Sequence, residues 1–398
     1  MRKLWDMRTL CNKLGAKRNA LVLLGLLIIF VAGLYSVNRF FGRDNETRLV
    51  VLSEKRDNGA LIASPNTSFR IESVTKQRNT FPIYNFSIAD DNTVLLNRMQ
   101  DSFTGIKLSL LRMNDNEVKD ITQNTGYGIT ITPDRTQAIF TKYGSSEHDY
   151  HAYAYDWKSN ELKQLGKEQF FNRQFIRNDT YIGFDEKYIK EVQLTTGKEQ
   201  SIASIEEIRA RISKHNGNIK ISEDMFLPDH FVIDSNQYQM YFTAYTAQNH
   251  VQLYQMPIQA NQDNNDDDKM LVDMQQIDQV SLLADGNIIL LGEVDNSYGL
   301  YLYDKREKQL KLLKKGNILG FDLDAQSSRL AYLQILDNQK GSNELHVTYL
   351  KGDTFEADTV IYRNIQDFIK MNWFDNNLFV GGSSMDASEL YRFTFKVW

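Results

Sequence analysis

The chain has 398 residues, of which 12% are aromatic and 24% charged, and its formal net charge is −5. It is long enough for a large core and too long for one small domain. Residues 1–43 carry eight basic residues and one acidic, net +7, so the rest carries −12; so acidic a body argues against nucleic acid or an anionic lipid surface as its partner.

The first element is Ala20 to Val37, "ALVLLGLLIIFVAGLYSV", uncharged over 18 residues. That is about the minimum for a membrane-spanning helix. Arg2, Lys3, Arg8, Lys13, Lys17 and Arg18 precede it with only Asp6 opposing, and Arg39 and Arg43 follow. The bias predicts a single-pass signal anchor in the cell membrane, with residues 1–19 a basic cytoplasmic tail and everything after Val37 outside. Leu4, Met7, Cys11 and Leu14 of the tail fall near one helical face, a minor membrane-surface stripe beside its topology role. A cleaved signal peptide is the alternative, but its apolar run is shorter, and Val31-Ala32-Gly33 is a poor small-x-small site. Residues 38–67 read as a stalk. The only cysteine is Cys11, so the outer domain has no disulfide. With only five prolines as well, this points to a bacterial envelope protein. The sequons at Asn45, Asn66, Asn85 and Asn178 then read as chance matches.

From Tyr84 onward one pattern recurs: an apolar strand, a turn rich in Asp and Asn, and a second apolar strand. It appears as "YNFSIADDNTVLLNR" from Tyr84, "GITITPDRTQAIFTKY" from Gly128, "RQFIRNDTYIGFDEK" from Arg173 and "HFVIDSNQYQMYFTAY" from His230. It continues as "QVSLLADGNIILLGEV" from Gln279, "LGFDLDAQSSRLAYLQ" from Leu319 and "DFIKMNWFDNNLFVGG" from Asp367. The turn acids Asp90, Asp134, Asp179, Asp234, Asp285, Asp324 and Asp375 recur at intervals of 39 to 55 residues. Each copy is followed by a second alternating pair, as in His151–Leu165, Glu191–Ile202 and Tyr298–Leu313. In Leu282–Leu313, for example, Asp285-Gly286 marks one hairpin turn and Lys305–Lys308 another. Four short strands per unit, repeated at this period without long helices, mean an all-β fold: a β-propeller of seven four-stranded blades, with six or eight as alternatives, over residues 68–398. The last unit ends at Glu389–Trp398 and lacks a fourth strand. An open ring would expose strand edges, so "SFRIESVTK", Ser68–Lys76, is predicted to complete the last blade.

The unit "ITPDRTQAIFTKY…HAYAYDWKSNELKQL" resembles the repeat of TolB-like (WD-like) propellers, roughly "SPDGKKIAF…LYVYDLKTGKLKQLT". Thr132-Pro133-Asp134-Arg135 matches the Ser-Pro-Asp-Gly turn, with Arg in place of Gly. "LADGNIILL" and "LYLYDKREKQLKLL" match in the same way. The resemblance implies the fold; the repeat serves scaffolds, peptidase gating domains and other envelope proteins alike.

One segment breaks the rhythm. Ser204–His215 reads as a short helix with a capping box, Ser204 and Glu207, inside an insertion of residues 204–216. Glu206 and Glu207 lie at the positive end of its dipole, Lys214 and His215 at the negative end, with Gly217 as the stop. Its stripe of Ile205, Ile208 and Ile212, with Arg209, has two readings: packing on the propeller rim, or docking of a partner. Asn261–Asp268, "NQDNNDDD", spaces Asp263, Asn265 and Asp267 like calcium ligands. An EF-hand loop would need Gly and Glu where Asp268 and Met274 stand, so the run reads as a solvated loop. His148 and His151 are the only close histidines and do not make a zinc site alone. No nucleophile elbow, zincin motif or phosphate-binding glycine loop occurs. No metal, cofactor or catalytic residue is therefore expected from motifs. The innermost strands nominate Asn85, Thr130, Gln174 and Lys370 as tunnel-lining residues. The expected function is a membrane-tethered extracytoplasmic scaffold for another envelope protein or a peptide. The rivals are a cell-wall glycan-binding module, marked by aromatics on one face, and a hydrolase or lyase with perturbed acids or histidines at the tunnel mouth.

Overall fold

The computed structural model describes residues 69–99, 105–144, 149–167, 173–184, 187–215, 231–246, 250–258, 269–326, 328–336 and 343–396. The tail 1–19, the span Ala20–Val37, the stalk 38–67, His148, Gly217 and the run Asn261–Asp268 lie outside them. Among the described residues no helix is long and apolar enough to cross a membrane.

Twenty-eight strands among these residues form seven antiparallel four-stranded sheets. Blade 1 is β2 (Ile83–Ile88), β3 (Thr93–Met99), β4 (Ile106–Arg112) and β5 (Glu117–Gln123); blade 2 is β6 (Thr125–Ile131), β7 (Gln137–Tyr143), β8 (Tyr150–Asp156) and β9 (Glu161–Lys167). Blade 3 is β10 (Arg173–Arg177), β11 (Thr180–Phe184), β12 (Tyr188–Gln193) and β13 (Glu199–Ser204); blade 4 is β14 (Phe231–Asp234), β15 (Gln239–Tyr245), β16 (Val251–Pro257) and β17 (Lys269–Met274). Blade 5 is β18 (Gln276–Leu282), β19 (Ile288–Val294), β20 (Ser297–Asp304) and β21 (Gln309–Lys315); blade 6 is β22 (Ile318–Leu323), β23 (Arg329–Ile335), β24 (Asn343–Lys351) and β25 (Thr354–Arg363). Blade 7 is β26 (Phe368–Phe374), β27 (Asn377–Ser383) and β28 (Ser388–Phe395), completed by β1 (Ile71–Asn79) from the other end of the chain.

The predicted closure is thus present, with β1 running from Ile71 opposite Phe395 to Asn79 opposite Ser388. Innermost strands of successive blades touch in cyclic order, and β26 meets β2 to finish the ring.

The burial pattern explains why these residues form blades. Middle strands are apolar on both faces, as in "TVLLNRM" and "NLFVGGS", because each is packed between two neighbouring blades. Outermost strands such as "EVKDITQ" alternate toward solvent. The core therefore lies in layers between blades. One layer joins Phe69, Val74, Met371, Trp373 and Phe393 of blade 7 to Leu333, Leu345 and Ile361 of blade 6.

The turn acids hold their hairpins through the backbone. Asp90 accepts from the N–H groups of Asn92 and Thr93, Asp234 from Asn236 and Gln237, and Asp324 from Ser328 and Arg329. Arg135, standing where the related repeats have Gly, does take the left-handed conformation, with φ +52°. Its guanidinium stacks over Phe374 at 4.2 Å and donates to the Ile88 carbonyl at 2.9 Å, contacts that offset the backbone strain. In blade 5 Asp295 and Asn296, both at positive φ, turn the chain from β19 into β20 in two residues.

The insertion helix α1 (Ile205–His215) has its capping box: Ser204 N–H donates to Glu207 Oε2 and Glu207 N–H to Ser204 Oγ, both at 3.1 Å. Ile205, Ile208 and Ile212 are buried in one cluster with Ile182 and Ile189 of blade 3 and Phe242 and Tyr254 of blade 4. The stripe packs on the propeller's own core, and Arg209 is half-buried beside it.

Candidate functional site

The innermost strands surround a central channel. A cavity of about 580 Å³ runs along β2, β6, β10 and β26, from Asn85 and Gly128 at one end to Pro133 and Arg135 at the other. All four residues nominated from the sequence, Asn85, Thr130, Gln174 and Lys370, line it.

An innermost strand is hydrogen-bonded on one edge only, so its other edge offers free N–H and C=O groups to the channel. Side chains from the preceding blade cap them. Asn85 donates to the Tyr127 carbonyl at 2.8 Å and Ser87 to the Ile129 carbonyl at 2.9 Å, joining blade 1 to blade 2. Gln174 donates to the Phe231 carbonyl and accepts from Ile233 N–H at 2.9 Å, joining blade 3 to blade 4. Gln279 does the same to Phe321, at 2.7 and 3.1 Å, between blades 5 and 6. Asp322 accepts from Trp373 N–H at 2.6 Å between blades 6 and 7. Asn85 and Gln174 are therefore clamps as well as lining residues. Gln279 and Asp322 were missed from the sequence, where nothing marks them apart from other polar residues on apolar strands.

Asp322 and Lys370 are the perturbed pair of the channel. Burial pushes the Asp322 carboxyl up to about 7, against the Trp373 and Leu323 N–H groups and the Lys370 charge, which favour ionisation. Burial also pulls the Lys370 ammonium down to about 8, with Asp322 opposing. The Lys370 Nζ lies 5.2 Å from the Phe86 ring centroid.

A second polar cluster is built into blade 6, away from the channel lining. His346 stacks on Tyr332 with centroids 4.6 Å apart, and its ring nitrogens lie 3.0 Å from Asp358 and 3.4 Å from Glu344. Tyr332 donates to Asp358 at 2.7 Å, and Lys314 of blade 5 reaches the same carboxylate at 2.9 Å. Burial alone would raise Asp358, but His346, Tyr332 and Lys314 hold it well below the usual carboxylate range. These residues tie three strands of blade 6 to blade 5. His151 lies on β8, with Nε2 2.9 Å from Asp149 Oδ1. Among the described residues no group of three or more His, Cys, Asp or Glu side chains could hold a metal ion.

The two faces of the disc differ. Connectivity places the starts of innermost strands and the β7–β8 and β27–β28 type loops on one face, and the Asp-rich turns on the other. Eight large apolar side chains are exposed among the described residues; Tyr84, Tyr127, Tyr188, Leu319 and Met385 stand on the first face, and Leu162, Met270 and Leu312 on outermost strands at the rim. Tyr127 is 60% and Met385 85% exposed. Tyr84 and Tyr127 meet edge to face at 5.5 Å beside the channel mouth, and Tyr143 and Tyr150 at 5.2 Å nearby. The opposite face presents Asp90, Asp134, Asp285 and Asp375 with the Asp156 and Asp304 turns, while the first face carries Asp149, Asp295 and Asp386.

No family model matches the sequence. No curated protein matches it either. Solved structures do. An oligogalacturonate lyase in complex with manganese superimposes with a TM-score of 0.53 at 11% identity, over 81% of this chain and 91% of that one. The propeller domain of the Trilobed protease from Pyrococcus furiosus, which has an open velcro topology, gives 0.52 at 10% identity, over 79% and 96%. TolB from Acinetobacter baumannii gives 0.40 at 12% identity, over 80% and 79%. At these identities the likeness is one of fold, and the chain is a seven-bladed β-propeller.

Proposed function

We propose that this chain is a membrane-tethered, extracytoplasmic scaffold whose propeller binds an envelope protein or peptide through its aromatic face. The observation that carries the reading is the sidedness of the disc: Tyr84, Tyr127, Tyr188, Leu319 and Met385 share one face, and the acidic turns occupy the other. Tyrosine and methionine are enriched where proteins meet. The Tyr84–Tyr127 pair, edge to face at 5.5 Å, is the nucleus of the apolar surface that such a contact would use. The clamps support binding over chemistry, because Asn85, Ser87, Gln174 and Asp322 each hold a neighbouring blade. The Asp322–Lys370 pair favours a second reading, a site for chemistry inside the channel. Glycan stacking on Tyr84 and Tyr127 is a third.

The test is photo-crosslinking of the full chain in intact envelopes, from position 385 on the aromatic face and position 285 on the acidic one. The expected result is one protein captured reproducibly from 385 and not from 285. Capture of wall glycan alone, or of the same proteins from both positions, overturns the proposal.

A further inference from the structure

Among the described residues, six of the seven seams between blades are filled by an apolar cluster that draws on both neighbours. Between blades 1 and 2, for example, Leu95, Leu108 and Leu110 meet Phe140, Tyr155 and Trp157. The seam between blades 2 and 3 differs. Its cluster is Tyr181 and Val192 with the partly buried Phe175 and Leu194, and all four belong to blade 3. Alternation along the strands is the reason. Phe140, Tyr153 and Tyr155 turn the bulky side of blade 2 toward blade 1, so the side left for blade 3 carries Ile139, Thr141, Ala152 and Ala154. Farther out, Gly166 on β9 contributes no side chain, and a Cβ placed there would meet nothing within 4 Å. A void of about 30 Å³ lies at this point, bordered by Leu165, Gly166, Tyr181, Val192 and Leu194. Side chains around a void lack contact atoms on one side and lose that much attraction.

A polar contact crosses the seam instead. Arg173 on β10 donates from Nη2 to Thr141 Oγ1 on β7 at 2.6 Å, and its guanidinium lies 6.0 Å from the Tyr181 ring centroid. Both partners are buried, at 5% and 7% exposure. Thr141 stands directly opposite Ala152 in blade 2, so the contact sits at the middle of the small-residue surface. We propose that the propeller ring opens first between blades 2 and 3, with the Arg173–Thr141 bond as the latch of that joint. The strands β6 and β10 flank the joint, and both line the central cavity, so parting the two blades widens the cavity from the side. Blade 7, where the two ends of the chain are joined, is the obvious place for a ring to part. It is instead sealed by apolar clusters on both of its faces, against blade 6 and against blade 1.

The experiment is thiol labelling of the full-length protein carrying C11S, so that one introduced cysteine reports. A138C, A152C, A244C and A331C place it in the seams between blades 1 and 2, 2 and 3, 3 and 4, and 6 and 7. All four alanines are at most 1% exposed, so iodoacetamide reaches each only when its seam opens. A152C should be labelled at least about tenfold faster than the other three, since local opening precedes global unfolding. T141V removes the acceptor of the latch and should speed A152C by a further fivefold or so, leaving A331C unchanged. G166V fills the void and should slow A152C. A154C, on the same side of blade 2, replaces A152C if that variant does not fold. Equal rates at the four positions, which global unfolding would give, overturn the proposal. So do fastest labelling at A331C and a rate at A152C indifferent to T141V.

Discussion

Replacing Gln279 by Ala removes a clamp whose worth can be worked from its geometry. The Gln279 amide gives one hydrogen bond to the Phe321 carbonyl and takes one from its N–H, and Phe321 is only 2% exposed. Each such bond contributes about 1 kcal/mol net, and a group left unpaired in a buried site costs about 1–3 kcal/mol. Water in the channel can reach part of the freed edge, which places the loss near the lower sum, about 2 kcal/mol. For a chain of this size that is a fall of roughly 2–3 °C in Tm. Q279E sharpens the test. The carboxylate can still accept from Phe321 N–H, but its second oxygen now faces the Phe321 carbonyl, so Q279E should fall at least as far as Q279A. Q309A, an exposed position on β21, serves as the control and should stay within about 1 °C. Differential scanning fluorimetry of the full-length variants gives all three numbers. A Q279A protein as stable as Q309A, or a Q279E protein as stable as wild type, would refute the idea that these side chains hold the blades together.

Val74 on β1 is 6% exposed in the layer between blades 6 and 7, so V74D, which buries an unpaired charge, should cost at least about 3 kcal/mol and yield aggregated protein in size-exclusion chromatography. The Asp322 carboxyl titrates higher folded, at about 7, than unfolded, so its contribution is complete below about pH 4 and lost as pH rises through about 7. Lys370 and Asp324 face the same carboxyl. D322N should therefore flatten the decline of Tm between about pH 5 and pH 8, and an unchanged slope contradicts the assignment. Asp358 is shifted the other way: its contribution is present above about pH 4 and lost on acidification. D358N should lower Tm at neutral pH and converge with wild type in acid; parallel curves would contradict the network around His346. On the aromatic face, Y127S with Y84S should weaken partner capture by at least about tenfold while leaving Tm within about 2 °C.

The fold was legible because the repeat is covalently written: apolar strands around Asp-rich turns, seven times, with a missing fourth strand at one end and a spare one at the other. Which strand lines the tunnel was legible too, since the first strand of each unit is the innermost, and the four residues nominated on those strands all line the cavity. What those residues do was not. Asn85 and Gln174 act on the next blade's backbone, and the distance to that blade varies with the length of the connecting loop. A bulge between Phe368 and Lys370 also shifts the register of β26, so alternation does not say which residue faces the axis. The His346 cluster draws on β21, β23, β24 and β25, and no local spacing brings His346, Asp358 and Lys314 together. The two readings of the α1 stripe could not be separated in sequence either, because Ile205, Ile208 and Ile212 suit a neighbouring blade as well as a partner.

The closure of blade 7 also sets an order of events. Ile71 pairs with Phe395 across 324 residues, so joining those ends in a flexible chain costs roughly 5 kcal/mol of loop entropy, against about 3.4 kcal/mol for a loop the length of one blade. The ring is cheaper to close once the intervening blades have formed and shortened the effective loop. During synthesis β1 is made first, yet its partner strand is the last to be made. Until then Ile71–Asn79 remains an unpaired edge, open to any other unpaired strand it meets. A helper that shields this segment, or a lesion that delays the final thirty or so residues, would act on the whole ring through its slowest joint.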